Sequence, residues 1–363
     1  MKKNKKLIAI GAAVLIGIVS LLAYKAQNEN MPGNMIRIGA ILPLTGNSAS
    51  TGQSVRDALQ LAVKDINAED SSDKYYLDAQ DSKEEVKTAS FAMRHIMLTG
   101  KPKLIYAAIS AIALQVQKET EPNGIILFAP VGAENLITRD TKYSYRLFPS
   151  PSRIGEMVIK NAKEKLGFHS ISIVYPNNEF GKSYSGGVNE AIKLQGINVG
   201  SEIEYSSNRS EYINIFSKLK NDSSNGIYLI GYGTELSSLI RKIREIGYDK
   251  PIICDMNLTL SIAKQCGDAI DNVYRLDFRG QGDRFQKFQK DYVNNFSRMP
   301  DTMAMIHYES LFLFHKLKAL NPEGNFMDVK DIDKFSYDSM LGQVTIRNYE
   351  ILFPMELKKA NEE

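Results

Sequence analysis

Thr45, Ser110, Ala133 and Tyr232 each stand in a loop that closes a short apolar run and leads into a helical pattern. Hydroxyls and a phenol donate and accept hydrogen bonds, and an alanine packs. An enzyme would concentrate titratable groups at such strand ends. The acids nearest to one of them, Asp78 and Asp81, have Asp/Glu neighbours and read as a solvated loop or a helix cap. No GxSxG elbow, HExxH pair or Walker sequence is present. Gly231-Tyr232-Gly233 lacks the third glycine of a dinucleotide fingerprint. Two cysteines and four scattered histidines give no metal spacing. The chemistry on offer is noncovalent capture of a ligand, with no cofactor and no enzymatic step.

The elements that would position these groups alternate for most of the chain. Residues 36–42 are an apolar run that stops at the turn residues Pro43, Thr45 and Gly46. A helix then begins near Ser50, Thr51 and Gly52, with Val55, Ala58, Leu59, Ala62, Val63 and Ile66 on one face. Strand signals come next at 75–77, 104–109, 125–129 and 145–149, with helices at 83–98 and 113–121. A second series has helices at 153–165, 182–194, 211–220 and 235–246 and strands at 170–175, 198–205, 226–230 and 251–254. A strand at 273–278, helices at 284–296 and 302–320, and strand-like pieces at 343–346 and 350–353 complete the pattern. Strand–loop–helix alternation predicts an α/β fold with ligand loops at the carboxyl ends of parallel strands.

Lys2, Lys3, Lys5 and Lys6 precede 17 uncharged residues, 7–23. That length fits a cleaved signal peptide or an uncleaved membrane anchor, and both stay open. Lysines before such a segment place the rest of the chain outside the cytoplasm. Of 45 basic residues, four lie in this leader; the other 41 face 42 acidic ones, a net charge of −1. Near neutrality gives no reason to expect nucleic acid as a partner. Roughly 335 residues remain, enough for two domains. Cys254 and Cys266 are expected at the end of a strand and of the following helix. Eight helical residues would separate them by on the order of 12 Å, beyond disulfide reach, so free thiols are expected.

The run IRIGAILPLTGNSASTG at 36–52, with LAVKDINAED ending its helix, resembles the opening of type I periplasmic solute-binding proteins of the branched-chain amino acid and amide class. Ser110 after an apolar strand, Pro130 after ILFA 20 residues later, and Tyr145-Arg146-Leu147-Phe148-Pro149-Ser150 at a crossover are similar in order and spacing. So are the strand 170–175 with Glu179-Phe180-Gly181, and the late-helix residues Tyr308-Glu309-Ser310. The resemblance covers about residues 36–353 and implies two Rossmann-like lobes joined by three crossovers, closing on a ligand. It puts residues 35–149 and 279–335 in one lobe and 150–278 and 336–354 in the other, with 1–34 a signal peptide or anchor and 355–363 a tail.

Residue by residue, the resemblance implies that Ser110 holds a ligand carboxylate and that Thr51 lines the first-lobe wall. Phe180 is then a second-lobe aromatic wall, and Tyr232 reaches the ligand from the same lobe. Plainer roles stand beside these: a helix cap for Ser110 and Thr51, packing for Phe180 and Tyr232, a turn for Asp255 and a structural role for His307. Two matches fail. Ala133 replaces a threonine, and Met256 replaces the acid that pairs an ammonium. Asp255, next to Met256, or Glu134 would supply a new acid. Burying an ammonium without a partner is costly, so an amide, a peptide or an organic acid competes with an amino acid as ligand. The implied partners are a small molecule and an ABC importer permease, with the protein a monomer or weak dimer in the periplasm or on the extracellular face. Membrane contact would come through residues 7–23 if they are retained. The rival is a membrane-tethered sensor or scaffold on the same fold, with no transport role.

Overall fold

The computed structural model describes residues 35–362, apart from 47, 70–72, 132–136, 207–211, 322–325 and 330–331. The expected leader, Ala133 and Glu134 lie outside the described residues. The first series comprises β1 (Met35–Leu42), α1 (Ala49–Ala68), β2 (Lys74–Asp81), α2 (Val86–Thr99), β3 (Leu104–Ala107), α3 (Ser110–Thr120), β4 (Ile126–Ala129) and β5 (Ser144–Arg146). The second comprises α4 (Pro151–Leu166), β6 (Ser170–Pro176), α5 (Glu179–Gln195), β7 (Asn198–Tyr205), α6 (Tyr212–Lys220), β8 (Ile227–Leu229), α7 (Thr234–Glu245), β9 (Ile252–Cys254), α8 (Leu260–Lys264) and β10 (Val273–Phe278). Then come α9 (Gly282–Phe296), α10 (Thr302–Leu320), β11 (Ser336–Ser339), β12 (Gly342–Arg347), β13 (Glu350–Leu352) and β14 (Met355–Lys359).

These strands form two sheets, one per lobe. The first runs β11-β12-β13-β5-β4-β3-β1-β2 and the second β14-β10-β9-β8-β6-β7. β3, β4, β8 and β9 are buried along their whole length. Helices cover both faces of each sheet, so these strands read as unbroken apolar runs rather than as alternation. In the first lobe, α1, α9 and α10 cover one face and α2 and α3 the other. In the second, α4 and α5 cover one face and α6, α7 and α8 the other.

The chain passes between the sheets three times, at 147–150, 279–281 and 353–354. Phe148 and Met355, beside two of these crossovers, pack against apolar cores of both lobes. Near the middle crossover, Thr302 of α10 donates its hydroxyl hydrogen to Asp277 of β10 at 3.2 Å. Asp277 also pairs with Arg275 and, at 3.3 Å, with Lys358 of β14. The hinge is therefore narrow and carries a buried ionic cluster.

The chain's end departs from expectation. Residues 336–352, expected in the second lobe, form a three-stranded meander on the first sheet, where Glu350 registers with Arg146 of β5. Tyr337, Val344, Ile346 and Ile351 point into the first lobe's aromatic core, and that burial decides the placement. The expected tail instead supplies β14, an antiparallel edge strand beside β10. α8 is shorter than expected, and Cys254 and Cys266 are free, buried thiols in one core.

Glu309, fully buried on α10, fastens the meander. It accepts from the Tyr337 hydroxyl at 2.9 Å and the Met340 N–H at 3.0 Å, and pairs with Arg284 at 3.2 Å. Glu309→Ala would strand two donors and leave Arg284 without its ion pair. It is expected to cost about 3 kcal/mol, read as a lower urea midpoint at unchanged slope. A loss under about 1 kcal/mol would show that the meander is held by its apolar side chains alone.

Candidate functional site

In the first lobe, β1 ends at Pro43 and its loop is shaped from β2. Asp81 accepts from the Leu44 N–H at 2.9 Å, the Thr45 N–H at 3.3 Å, the Thr45 hydroxyl at 2.6 Å and the Lys83 N–H at 2.9 Å. Burial opposes its charge, yet the bonds from Thr45, Lys83 and Leu44 outweigh it and hold the carboxyl below the usual range. Lys83 and Glu84 take left-handed conformations (φ 50° and 60°), and Glu84 accepts from the Ser48 N–H. Ser48, not Thr51, is the N-cap position of α1; Thr51 is half-buried in its first turn. Gly52 is obligatory there, since a Cβ would sit 2.1 Å from the Pro43 carbonyl oxygen.

β3 leads to Ile109 and Ser110. Ile109 is β-branched, yet it holds φ 72° and ψ 124°, a strained conformation of the kind that clusters at ligand sites. α3 starts at Ser110 rather than near Ala113, with no side-chain cap. Its first N–H groups carry the partial positive charge of a helix N-terminus.

The second lobe repeats the first-lobe turn. β6 ends at Pro176, and a Cβ on Gly181 would lie 2.0 Å from the Pro176 carbonyl oxygen. Asn178 caps α5 by accepting from the Gly181 N–H at 2.9 Å. Phe180, beside that glycine, packs on Tyr184 with centroids 4.3 Å apart and meets Tyr232 edge-on at 5.2 Å. Tyr232 is 49% exposed and precedes Gly233, the uncapped start of α7.

Asp255 follows β9 and is 1% exposed. Its Oδ1 accepts from the Asn257 N–H at 2.8 Å and the Asn257 side-chain amide at 2.7 Å, and its Oδ2 from the Tyr228 hydroxyl at 3.0 Å. Burial pushes its carboxyl up to about 6, although those bonds pull the other way. Tyr184 is raised as well, by burial first and the Asp255 charge second. Met256 is 4% exposed and packs in the core under α4 and α5.

Of the expected site residues, then, Phe180 and Tyr232 come together on the second lobe, with Asp255 near Tyr184 behind them. Thr51 and Ser110 stand on the first lobe, in the first turns of the helices that follow the neighbouring strands β1 and β3. Sequence reasoning missed Tyr184, although it lies four residues after Phe180 on one helix face. It also missed Asn257 as a clamp on Asp255, and Asp81 and Glu84 as organisers of the first loop. This set can hydrogen-bond, stack and offer helix N-termini to a solute. Among the described residues no group of three or more His, Cys, Asp or Glu side chains is placed to hold a metal.

The family model described as periplasmic binding protein matches residues 35–347. The chain belongs to that family. The Leu/Ile/Val-binding protein homolog 8 of Brucella abortus is 24% identical over 254 residues, 67% of this chain and 61% of that one. This periplasmic binding protein thus spans about three fifths of the length of the curated relatives it first matches. Its fold is that of the isoleucine-bound branched-chain amino acid transporter substrate-binding protein of Streptococcus pneumoniae. That match has a TM-score of 0.72 at 18% identity, covering 90% of this chain and 97% of that one. It is also similar to the solute-binding protein of an ABC transporter from Rhodopseudomonas palustris in complex with 3,4-dihydroxybenzoic acid. There the TM-score is 0.71 at 17% identity, covering 90% and 93%. The chain therefore has the two-lobed α/β fold expected of a type I periplasmic binding protein. Membership implies a periplasmic or extracellular location. Among the described residues no helix is long and apolar enough to cross a membrane.

The Asp255 carboxyl gives this periplasmic binding protein a pH signature. Its ordinary value is 3.8 and its folded value about 6. The folded chain therefore holds more protons across that window, and stability falls as pH rises from about 4 to about 6. Asp255→Asn cannot titrate. Urea unfolding at pH 4 and pH 7 should show the variant gaining on the parent by on the order of 3 kcal/mol between the two. Parallel pH dependence of the two proteins would mean that Asp255 is an ordinary ionised carboxylate.

Proposed function

We propose that this protein is an extracytoplasmic receptor that captures a small polar or amphipathic solute between its lobes by hinge closure and delivers it to an ABC importer. The observation that carries the reading is the placement of polar and aromatic groups at the strand ends of both lobes, Thr51 and Ser110 on one and Phe180 and Tyr232 on the other. The lobes are linked only by crossovers of two to four residues. A solute that touches both lobes binds the closed state better than the open one and shifts the population toward it. Relatives whose descriptions name leucine, isoleucine, valine or 3,4-dihydroxybenzoic acid support a small organic solute.

We assign the carboxylate-holding role to Ser110 at the open start of α3, and the wall roles to Thr51, Phe180 and Tyr232. Asp255 and Met256, sealed within the second lobe, are assigned support rather than contact. A tethered sensor is favoured by one feature, the 17 uncharged residues 7–23 behind four lysines. Intact mass of the protein recovered from cells separates a cleaved leader from a retained anchor.

The test is native mass spectrometry of the full chain, followed by a thermal-shift screen of amino acids, amides, peptides and organic acids. A bound small mass, or a compound that raises the melting temperature by preferring the folded closed state, is expected. Saturation with that compound should also reduce the radius of gyration in solution scattering. Ser110→Ala should weaken its binding by about 1.5–3 kcal/mol, the worth of a hydrogen bond to a charged group. A screen with no bound mass and no shift would sink the receptor reading.

A further inference from the structure

We infer that the protein keeps residues 7–23 as an anchor and that the base of its first lobe, around Leu98, Leu320, Lys101 and Lys103, rests on the anionic membrane surface beside that anchor. The inference goes beyond the receptor reading and does not depend on which solute is bound. Four lysines precede the 17 uncharged residues, and 11 residues, 24–34, lead from them to Met35. A segment of that length reaches at most about 40 Å when fully extended. Met35 opens β1, so a retained anchor brings the amino end of the first sheet to the bilayer.

That end of the sheet is a defined surface. Met35 registers with Lys74 of β2 and Ile38 with Leu104 of β3, so the amino ends of the three strands lie together. The turn 100–103 between α2 and β3 is tied to β1: the Lys103 N–H donates to the Arg37 carbonyl at 3.1 Å, and the Arg37 guanidinium donates to the Thr99 hydroxyl. The end of α10 arrives beside them, with Lys318 paired at 3.0 Å to Asp73, the residue before β2. At these two helix ends Leu98 is 85% exposed and Leu320 59%. Apolar side chains held in water at this end gain by entering the headgroup boundary of a bilayer. Lys101 and Lys103, both exposed, follow Leu98 and can lay their stems along that boundary with their ammonium groups at the phosphates. Glu69 and Glu119 are also exposed at this end, so the attraction is local to the α2–β3 turn. Two leucines and two lysines would hold a free protein on a membrane only weakly; the tether supplies the effective concentration that makes the contact persist.

The full chain, recovered from cells with its native N-terminus, tests this in two steps. Intact mass should show residues 7–23 present. The protein is then reconstituted in vesicles of phosphatidylglycerol and phosphatidylcholine that carry lipid spin-labelled at headgroup level. Bimane on Leu98→Cys or Leu320→Cys should be quenched, and bimane on Leu194→Cys, 75% exposed on the second lobe, should not. Cys254 and Cys266 are buried and escape the label. Lys101→Glu combined with Lys103→Glu should lower the contact equilibrium by at least about fivefold per lysine, and high salt should weaken it as well. A cleaved leader would overturn the inference and leave the receptor standing. Equal quenching at positions 98 and 194 would overturn it too, as a tether with no seated face, and so would no quenching at 98. Quenching at 98 unmoved by the charge reversals would overturn the role of the lysines. Shielding of position 98 from a water-soluble quencher without quenching by lipid would give the surface to a protein partner instead.

Discussion

Both halves of the candidate site hang on one contact made twice: the carbonyl of a strand-ending proline seated against a glycine in the first turn of the next helix. Pro43 and Gly52 make it in the first lobe, Pro176 and Gly181 in the second. A methyl group on either glycine would overlap the carbonyl oxygen, so strand and helix can be no further apart than backbone contact allows. That closeness fixes where the neighbouring side chains emerge. Thr51 precedes one glycine and Phe180 the other, and each is thereby held at the mouth of its lobe. Proline suits the corner because it ends a ladder without leaving an N–H unpaired. Equivalent corners thus place Thr51 and Phe180 at corresponding positions of the two lobes.

Much of this was legible in the sequence because the signals are local. Fully buried parallel strands appear as short apolar runs, and α1 announces itself by its 3.6-residue stripe. Glycine and proline mark the corners. What was misplaced depended on distant partners. Residues 336–352 have the alternation of a strand, but alternation does not say which sheet a strand joins. That choice was made by Glu309 on α10 and by an aromatic core assembled from β4, β5 and α10. The start of α3 was also hidden. Ile109 adopts a left-handed conformation that β-branched residues avoid, so no propensity argument would have begun a helix at the following serine.

Asp255 illustrates the same limit at the site itself. From the sequence it was an acid one residue away from where an ammonium partner belongs. Its hydrogen-bond partners in the fold are Tyr228, 27 residues earlier, and Asn257 beside it. Three hydrogen bonds turn it inward, and burial then raises its carboxyl toward neutrality. A carboxylate committed in this way holds the loop after β9, and where ionised its charge acts on Tyr184, against which Phe180 packs.

The hinge sets how much a solute must contribute. Phe148 and Met355 pack against cores of both lobes, and Asp277 binds Arg275 and Lys358 while accepting from Thr302 across the middle crossover. The Thr302 bond and the two apolar side chains tie lobe to lobe, and Phe278 of β10 is buried in the first lobe's core against Phe353. Open and closed states of a two-lobed binding protein commonly differ by only a few kcal/mol. Contacts that a solute makes only when the lobes meet are then enough to decide the equilibrium.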